Sequence, residues 1–377
     1  MLDRRKFLLS SIGAGIAALK CSHPAAAAAD PVRDLLKKAV GPNETVAGMI
    51  AILVDDGGTR MATYGSSGVP NLALDGDTVF EIMSITKVLT ALLLTDMAAR
   101  GEVALDNPVT KYLPPSVKLK ERGRPITLLD LATYTSGLPN MPGNLPPDWY
   151  AHPNPLGDYT ETKLYEFLSG YIPEYEPGRH YRYANLGFGL LGNALAHRMG
   201  KSYEALLIER VCSPLGLTQT RITLSGSMQK HLVQGHDLDL KPTKFWDMPA
   251  MPGAGTVRSN AKDLTAFLKA CMDKTKTPLS ACFARLLETR RPTSLAGTDA
   301  GLGWFITSDR KEEIVWKSGL SGGCNTYIGF SKQTRRGAII LSNFLWRPID
   351  EGMINIGMRL INPDFQPRDF NALYSNS

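Results

Sequence analysis

What most constrains the fold of this chain is where its strand-forming runs fall, towards both ends of the sequence. Near the start, "VAGMIAILVDDGGTRMATYG" sets two β-rich runs on either side of Asp-Asp-Gly-Gly, a strong local hairpin signal. An amphipathic helix in "DPVRDLLKKAVG" precedes it. Near the end, "EEIVWKSGLSGGCNTYIGF" and "RGAIILSNF" read as strands, and "IDEGMINIGMRLIN" as a last helix. The middle, from about 76 to 290, carries helical patterns such as "LGFGLLGNALAHRMG" and "NAKDLTAFLKACM" between Pro- and Gly-rich loops. An α/β fold is expected, in which residues 30–75 and 291–377 build an antiparallel sheet flanked by helices and 76–290 form a mostly helical domain. An active site would lie between the two parts.

The first 29 residues stand apart. They open with Arg4-Arg5, run through an apolar stretch from Phe7 to Leu19 and end in small residues that signal peptidase favours. That stretch falls short of the ~20 residues of a membrane span, so 1–29 read as a cleaved export signal. "DRRKFL" resembles the twin-arginine motif, which addresses folded proteins for export. Cys21 would fit a lipoprotein, but Lys20 before it does not. A soluble periplasmic or exported protein is expected, with no stable membrane span. Of the formal net charge of +6, +3 lies in the first 29 residues, and no run of five or more basic residues accompanies it. Nucleic acid is therefore not an expected partner. Four later cysteines, Cys212, Cys271, Cys282 and Cys324, form no C-x-x-C pair. Cys271 and Cys282 are open to a bridge in an oxidising compartment, or to remaining as buried thiols.

Within the middle, "FEIMSITKVLTALLLTDMAARGEV" places Ser84 and Lys87 three apart at the front of an apolar helical run that Gly101 stops. On a helix this spacing puts both side chains on one face, about 5–6 Å apart at Cβ. A serine hydroxyl needs a base to become a nucleophile, and a lysine serves if burial lowers its pKa. The pair is open to two readings, a nucleophile with its base or a capping serine beside a solvated lysine. Ser-x-x-Lys also occurs at Ser227/Lys230, Ser259/Lys262 and Ser308/Lys311. Those at 227 and 308 fall in polar, turn-like stretches, and Ser259 reads as the cap of the helix after it.

Gly319-Leu320-Ser321-Gly322-Gly323 fits G-x-S-x-G, but that elbow needs a helix after the serine, and "CNTYIGF" reads as a strand. No histidine follows residue 236 to complete such a triad. His152, His180, His197, His231 and His236 make no ligand set with metal-binding spacing, so they read as surface or structural and no metal or other cofactor is expected.

Two further groups join Ser84. "YRYANLGFGLLGNAL" places Tyr183 and Asn185 before a glycine-rich helix, while Tyr-x-Asn recurs only at Tyr374 and Asn376 in a flexible-looking tail. Lys317-Ser318-Gly319 stands at the end of a predicted strand and the start of a turn. In this order, S-x-x-K, Y-x-N and K-S-G resemble the penicillin-recognising serine hydrolases. The branch concerned holds class C β-lactamases, D-alanyl-D-alanine carboxypeptidases and endopeptidases, and family VIII carboxylesterases. "LDNPVTKYLPP", "PITLLDLATYTSGLP", "PGRHYRYANLGFGLLG", "CSPLGLTQT" and "GLGWFI" resemble family segments too, and the likeness runs over about residues 45–360.

The resemblance implies a β-lactamase/transpeptidase-like fold and a role for each matched residue. Ser84 would be the acylated nucleophile and Lys87 its base. Tyr183 would move a proton to the leaving group, with a phenol pKa lowered between two lysines. Asn185 would bind the substrate amide. Lys317 would support Tyr183 and draw in a carboxylate, Ser318 and Gly319 would line the substrate strand, and the N–H groups of Ser84 and Leu320 would form an oxyanion hole. Class C β-lactamases usually follow "ATYT" with two glycines and a nearby glutamine, and carry Tyr-Gly before the "V-x-S/T" segment. This chain has "TSGLPNMP" and Gly255-Thr256 instead, closer to the peptidases. The expected function is a periplasmic D-alanyl-D-alanine carboxypeptidase/endopeptidase acting through an acyl-enzyme, with some β-lactam reactivity on small-molecule or peptide substrates. The alternatives are a β-lactamase, an esterase, or a non-catalytic penicillin- or peptidoglycan-binding protein.

Overall fold

A computed structural model describes residues 30–309, 312–345 and 352–375, so the expected signal at 1–29 lies outside the described residues. Asp30 caps the first helix, Pro31–Val40, by accepting from the Val32 N–H, and Pro31 occupies a position where its missing N–H costs nothing. The Asp-Asp-Gly-Gly turn then joins β1 (Gly48–Asp55) to β2 (Gly58–Gly65) in a register that pairs Asp55 with Gly58. β3 (Val79–Glu81) and β4 (Arg258–Asn260) form a small antiparallel pair of their own. The remaining strands are β5 (Arg291–Pro292), β6 (Thr298–Ala300), β7 (Phe305–Asp309), β8 (Glu312–Leu320), β9 (Asn325–Ser331) and β10 (Arg336–Ser342).

The main sheet is antiparallel throughout, in the order β2-β1-β10-β9-β8-β7-β6-β5. The first hairpin thus docks on the last strand. Side chains alternate across a strand, so Tyr327 and Phe330 of β9 point to opposite faces. Helix Met353–Ile361 covers the Tyr327 face, where Gly357 lies against the Tyr327 ring. Helix Ala261–Cys271 covers the other, where Gly337, the partner of Phe330, meets Leu268. Burial of both faces explains why β9 and β10 read as almost continuous apolar runs.

Helix Thr86–Ala99 runs through the middle of the molecule, with every side chain from Thr86 to Met97 buried. A helix buried on all sides is a core helix, and the amine of Lys87 at its front needs a specific reason to be there. The short helical turn Met83–Ile85 leads into it. Asn343, just past β10, ties the parts together: its side chain accepts from the Gly48 N–H and donates to the carbonyls of Val46, Ser66 and Gln234.

All four later cysteines are free and buried, so Cys271 and Cys282 are not bridged. Three sequence readings need correction. Asn260, not Ser259, caps helix Ala261–Cys271, and Ser259 instead lies in β4 against Thr220. Ser227 lies in a short helix that the Ser225 side chain caps, and Ser308 in β7, where it pairs with Glu313 of β8. β8 continues through Lys317, Ser318 and Gly319 to Leu320, since the pairing with β9 holds each of them in the ladder. Lys311 lies outside the described residues. Among the described residues no helix is long and apolar enough to cross a membrane.

Candidate active site

Ser84 sits on the turn Met83–Ile85, directly after Met83, whose φ of 42° is rarely adopted by a side-chain-bearing residue. Such strain persists only where surrounding packing enforces it, and here it sets the serine at the head of the core helix. The Ser84 Oγ lies 2.8 Å from the Lys87 Nζ and 2.8 Å from the Tyr183 Oη. The Lys87 Nζ also donates to Asn185 Oδ1 at 2.7 Å and to the Ala254 carbonyl at 2.6 Å. Asn185 is oriented in turn by its Nδ2, which donates to Asn140 Oδ1 at 2.9 Å.

This pattern states what Lys87 can do. Burial, with no carboxylate to offset it, holds the amine well below the usual lysine range, which favours the neutral form. A neutral amine has two hydrogens and one lone pair. Two of its three neighbours are carbonyl oxygens that only accept, so they take both hydrogens and leave the lone pair facing the Ser84 hydroxyl. The alternative reading of a capping serine beside a solvated lysine does not hold: Ile85, not Ser84, stands at the cap position of the helix, and Lys87 is fully buried.

Lys317 enters from β8, and its Nζ has no hydrogen-bond partner among the described residues. It lies 4.3, 4.7 and 5.3 Å from the ring centroids of Phe305, Tyr183 and Tyr134. Ring faces attract an ammonium by about 0.5–2 kcal/mol each, less than the several kcal/mol lost on burying a charge. Burial, reinforced by Lys87 nearby, accordingly holds this amine well below its ordinary range too.

The expected lowering of the Tyr183 pKa is reversed. Burial, with Tyr374 adding to it, pushes the phenol above its ordinary value, and the Ser84 contact offsets only part of this. Burial thus favours the protonated form of Tyr183, which can donate a hydrogen bond.

Ser318 and Leu320 line a cavity of about 580 Å³ together with Ser84, Tyr183 and Asn185. Leu320 is exposed at its lip. Gly319 does not line it but permits it: a Cβ at 319 would stand 2.3 Å from the Ile82 carbonyl, so only glycine lets β8 approach the Ser84 turn. The structure therefore brings Ser84, Lys87, Tyr183, Asn185, Lys317, Ser318, Gly319 and Leu320 to one cleft. Ser321 does not join them. It lies in the β8–β9 turn, where its Oγ accepts from the N–H groups of Gly323 and Cys324. A strand follows it, so the elbow geometry is absent. His236 is buried beside the Asn343 carbonyl, a structural position.

Sequence reasoning missed three contributors. Tyr134, in "ATYTSG", stacks on Tyr183 with centroids 5.0 Å apart and holds φ at 59°. Ala254 contributes only its carbonyl, which has no side-chain signature. Tyr374, expected in a flexible tail, packs against Tyr183 and lines the cavity, because Phe370 and Leu373 before it are buried. Asn376 lies outside the described residues.

An antiparallel sheet flanked by helices, with a serine, a buried lysine and a tyrosine in mutual contact, defines a serine hydrolase of the β-lactamase/transpeptidase type. The comparisons agree: a family model described as Beta-lactamase matches residues 32–351, and the chain belongs to that family. It is 30% identical over 309 residues to the D-alanyl-D-alanine-carboxypeptidase/endopeptidase AmpH of Escherichia coli, covering 78% of each chain. It is 25% identical to a beta-lactamase of Pseudomonas fluorescens, over 84% of this chain and 94% of that one. Among solved structures it resembles the D-alanine carboxypeptidase AmpC of Burkholderia cenocepacia, with a TM-score of 0.72 and 26% identity over 87% of this chain and 98% of that one. A beta-lactamase/D-alanine carboxypeptidase of Yersinia pestis gives a TM-score of 0.72 and 25% identity, over 83% and 92%.

Proposed function

We propose that this protein is an exported D-alanyl-D-alanine carboxypeptidase/endopeptidase that acts through an acyl-enzyme at Ser84 and also reacts with β-lactams. The observation that carries the chemistry is the neutral-favoured Lys87, with both hydrogens engaged and its lone pair towards Ser84. Lys87 takes the Ser84 proton as Oγ bonds to the substrate carbonyl carbon. The N–H groups of Ser84 and Leu320 hold the oxyanion, and Asn185 binds the substrate amide. As the C–N bond breaks, the leaving nitrogen takes the Tyr183 proton, and Lys87, now an ammonium, restores it. Water then hydrolyses the ester. Lys317 and Ser318 receive the substrate carboxylate. The 30% identity to a peptidase and the departures around 135–142 and 255–256 support a peptide over a β-lactam as preferred substrate. The twin-arginine-like start supports export to the periplasm, where such peptides occur.

The test is a parallel assay on a D-Ala-D-Ala peptide, a chromogenic cephalosporin and a nitrophenyl ester, with Ser84→Ala as control. Highest kcat/KM on the peptide is expected, and loss of all three activities in the variant. Faster turnover of either other substrate overturns the preference; activity retained in Ser84→Ala overturns the mechanism.

A further inference from the structure

The C-terminal segment is fixed beside the cleft. Phe370 and Leu373 are buried, and the Phe370 ring meets Trp316 edge-on at 5.0 Å. The Tyr181 hydroxyl donates to the Leu373 carbonyl at 3.0 Å, and Ser294 donates to that of Ala372 at 2.5 Å. These anchors aim Tyr374 into the site. Its ring stands edge-on to Tyr183, centroids 4.9 Å apart, and its Oη lies 3.3 Å from the Ser318 Oγ. Both residues line the cavity, so two hydroxyls converge on one point of its wall. Burial pushes the Tyr374 phenol up to about 12, which keeps it a donor at neutral pH. One residue before Ser318, the fully buried Lys317 amine has no hydrogen-bond partner among the described residues.

We propose that Tyr374 is a substrate-binding residue whose hydroxyl acts with that of Ser318 to hold the substrate carboxylate. The assignment rests on the acyl-enzyme reading above. A carboxylate has two acceptor oxygens, and two O–H donors match it with charge-assisted hydrogen bonds. An anion held there also favours the charged form of the Lys317 amine, which burial otherwise disfavours. Arg368 lines the same cavity, where its Nη2 donates to the Ser308 carbonyl at 2.8 Å and lies 3.7 Å from Asp309.

The test measures the second-order rate constant for acylation of Ser84 by a penicillin with its free carboxylate and by the methyl ester of the same compound. Purified wild type and Tyr374→Phe are compared, the variant keeping ring and packing while losing the hydroxyl. Loss of a hydrogen bond to a charged group predicts a decrease of about 10- to 100-fold on the free acid, with little change on the ester. Equal decreases on both compounds make Tyr374 structural and overturn the assignment. So does an unchanged rate on the free acid, or a faster one, which would make the residue an obstruction. A wild type that forms no adduct at Ser84 with either compound overturns the acyl-enzyme reading itself, a result distinct from a reactive wild type with an indifferent variant.

Discussion

In the proposed mechanism the chemistry turns on Lys87: burial favours its uncharged form, and its two carbonyl partners engage both hydrogens of that form and aim its lone pair. Replacing it by alanine is expected to slow acylation by about 10²- to 10⁴-fold, the range for a general base, as read by labelling with a fluorescent penicillin. In the wild type the rate should rise with pH as Lys87 loses its proton, through a midpoint well below the usual lysine value of 10.5. A flat profile between pH 5 and 9 would count against Lys87 as base. Ser84, Lys87, Tyr183, Asn185 and Lys317 were legible because each carries a side-chain type in an ordered pattern. Ala254 was not, since a carbonyl oxygen belongs to every residue. The direction of the Tyr183 shift was not legible, because two nearby lysines in a sequence suggest a lowered phenol pKa while burial of the ring, which a sequence does not display, raises it.

At the scale of elements, the cleft depends on how closely β8 approaches the turn that carries Ser84. Gly319→Ala sets a Cβ 2.3 Å from the Ile82 carbonyl, closer than real Cβ atoms come to such an oxygen. One of the two backbones must move, and a 1 Å misplacement can cost 10²-fold. Acylation is expected to fall by at least about tenfold, with a lower Tm in a thermal melt; a variant with wild-type acylation would show that the approach is not needed. The hairpin at 55–58 and longer helices such as Asn185–Met199 and Ala261–Cys271 were readable from turn chemistry and periodicity. The extension of β8 through Lys317-Ser318-Gly319 was not, because serine and glycine are poor strand formers and only pairing with β9 keeps them extended.

At the scale of the whole molecule, the sheet joins the two ends of the chain, and Asn343 is a buried clasp between β1, the loop before β3 and the segment at 234. Asn343→Ala leaves the Gly48 N–H and three carbonyls without this partner. Each buried unsatisfied group costs about 1–3 kcal/mol, and partial rehydration of the set brings the expected loss to about 2–4 kcal/mol in urea denaturation. A change below about 0.5 kcal/mol would show that the clasp contributes little. The union of the ends was foreseeable from where the strand-rich runs lie. Asn343 was not, since its partners are all backbone groups that a sequence does not distinguish.

The cavity wall formed by residues 368–374 has a consequence in time. Tyr374 follows Ser84 by 290 positions in the chain, 374 − 84. A ribosome adding about 5–20 residues per second therefore makes the nucleophile many seconds before it makes the last wall of the pocket. Until residues 368–374 have been made, the growing chain has its serine and lysine but no complete cleft.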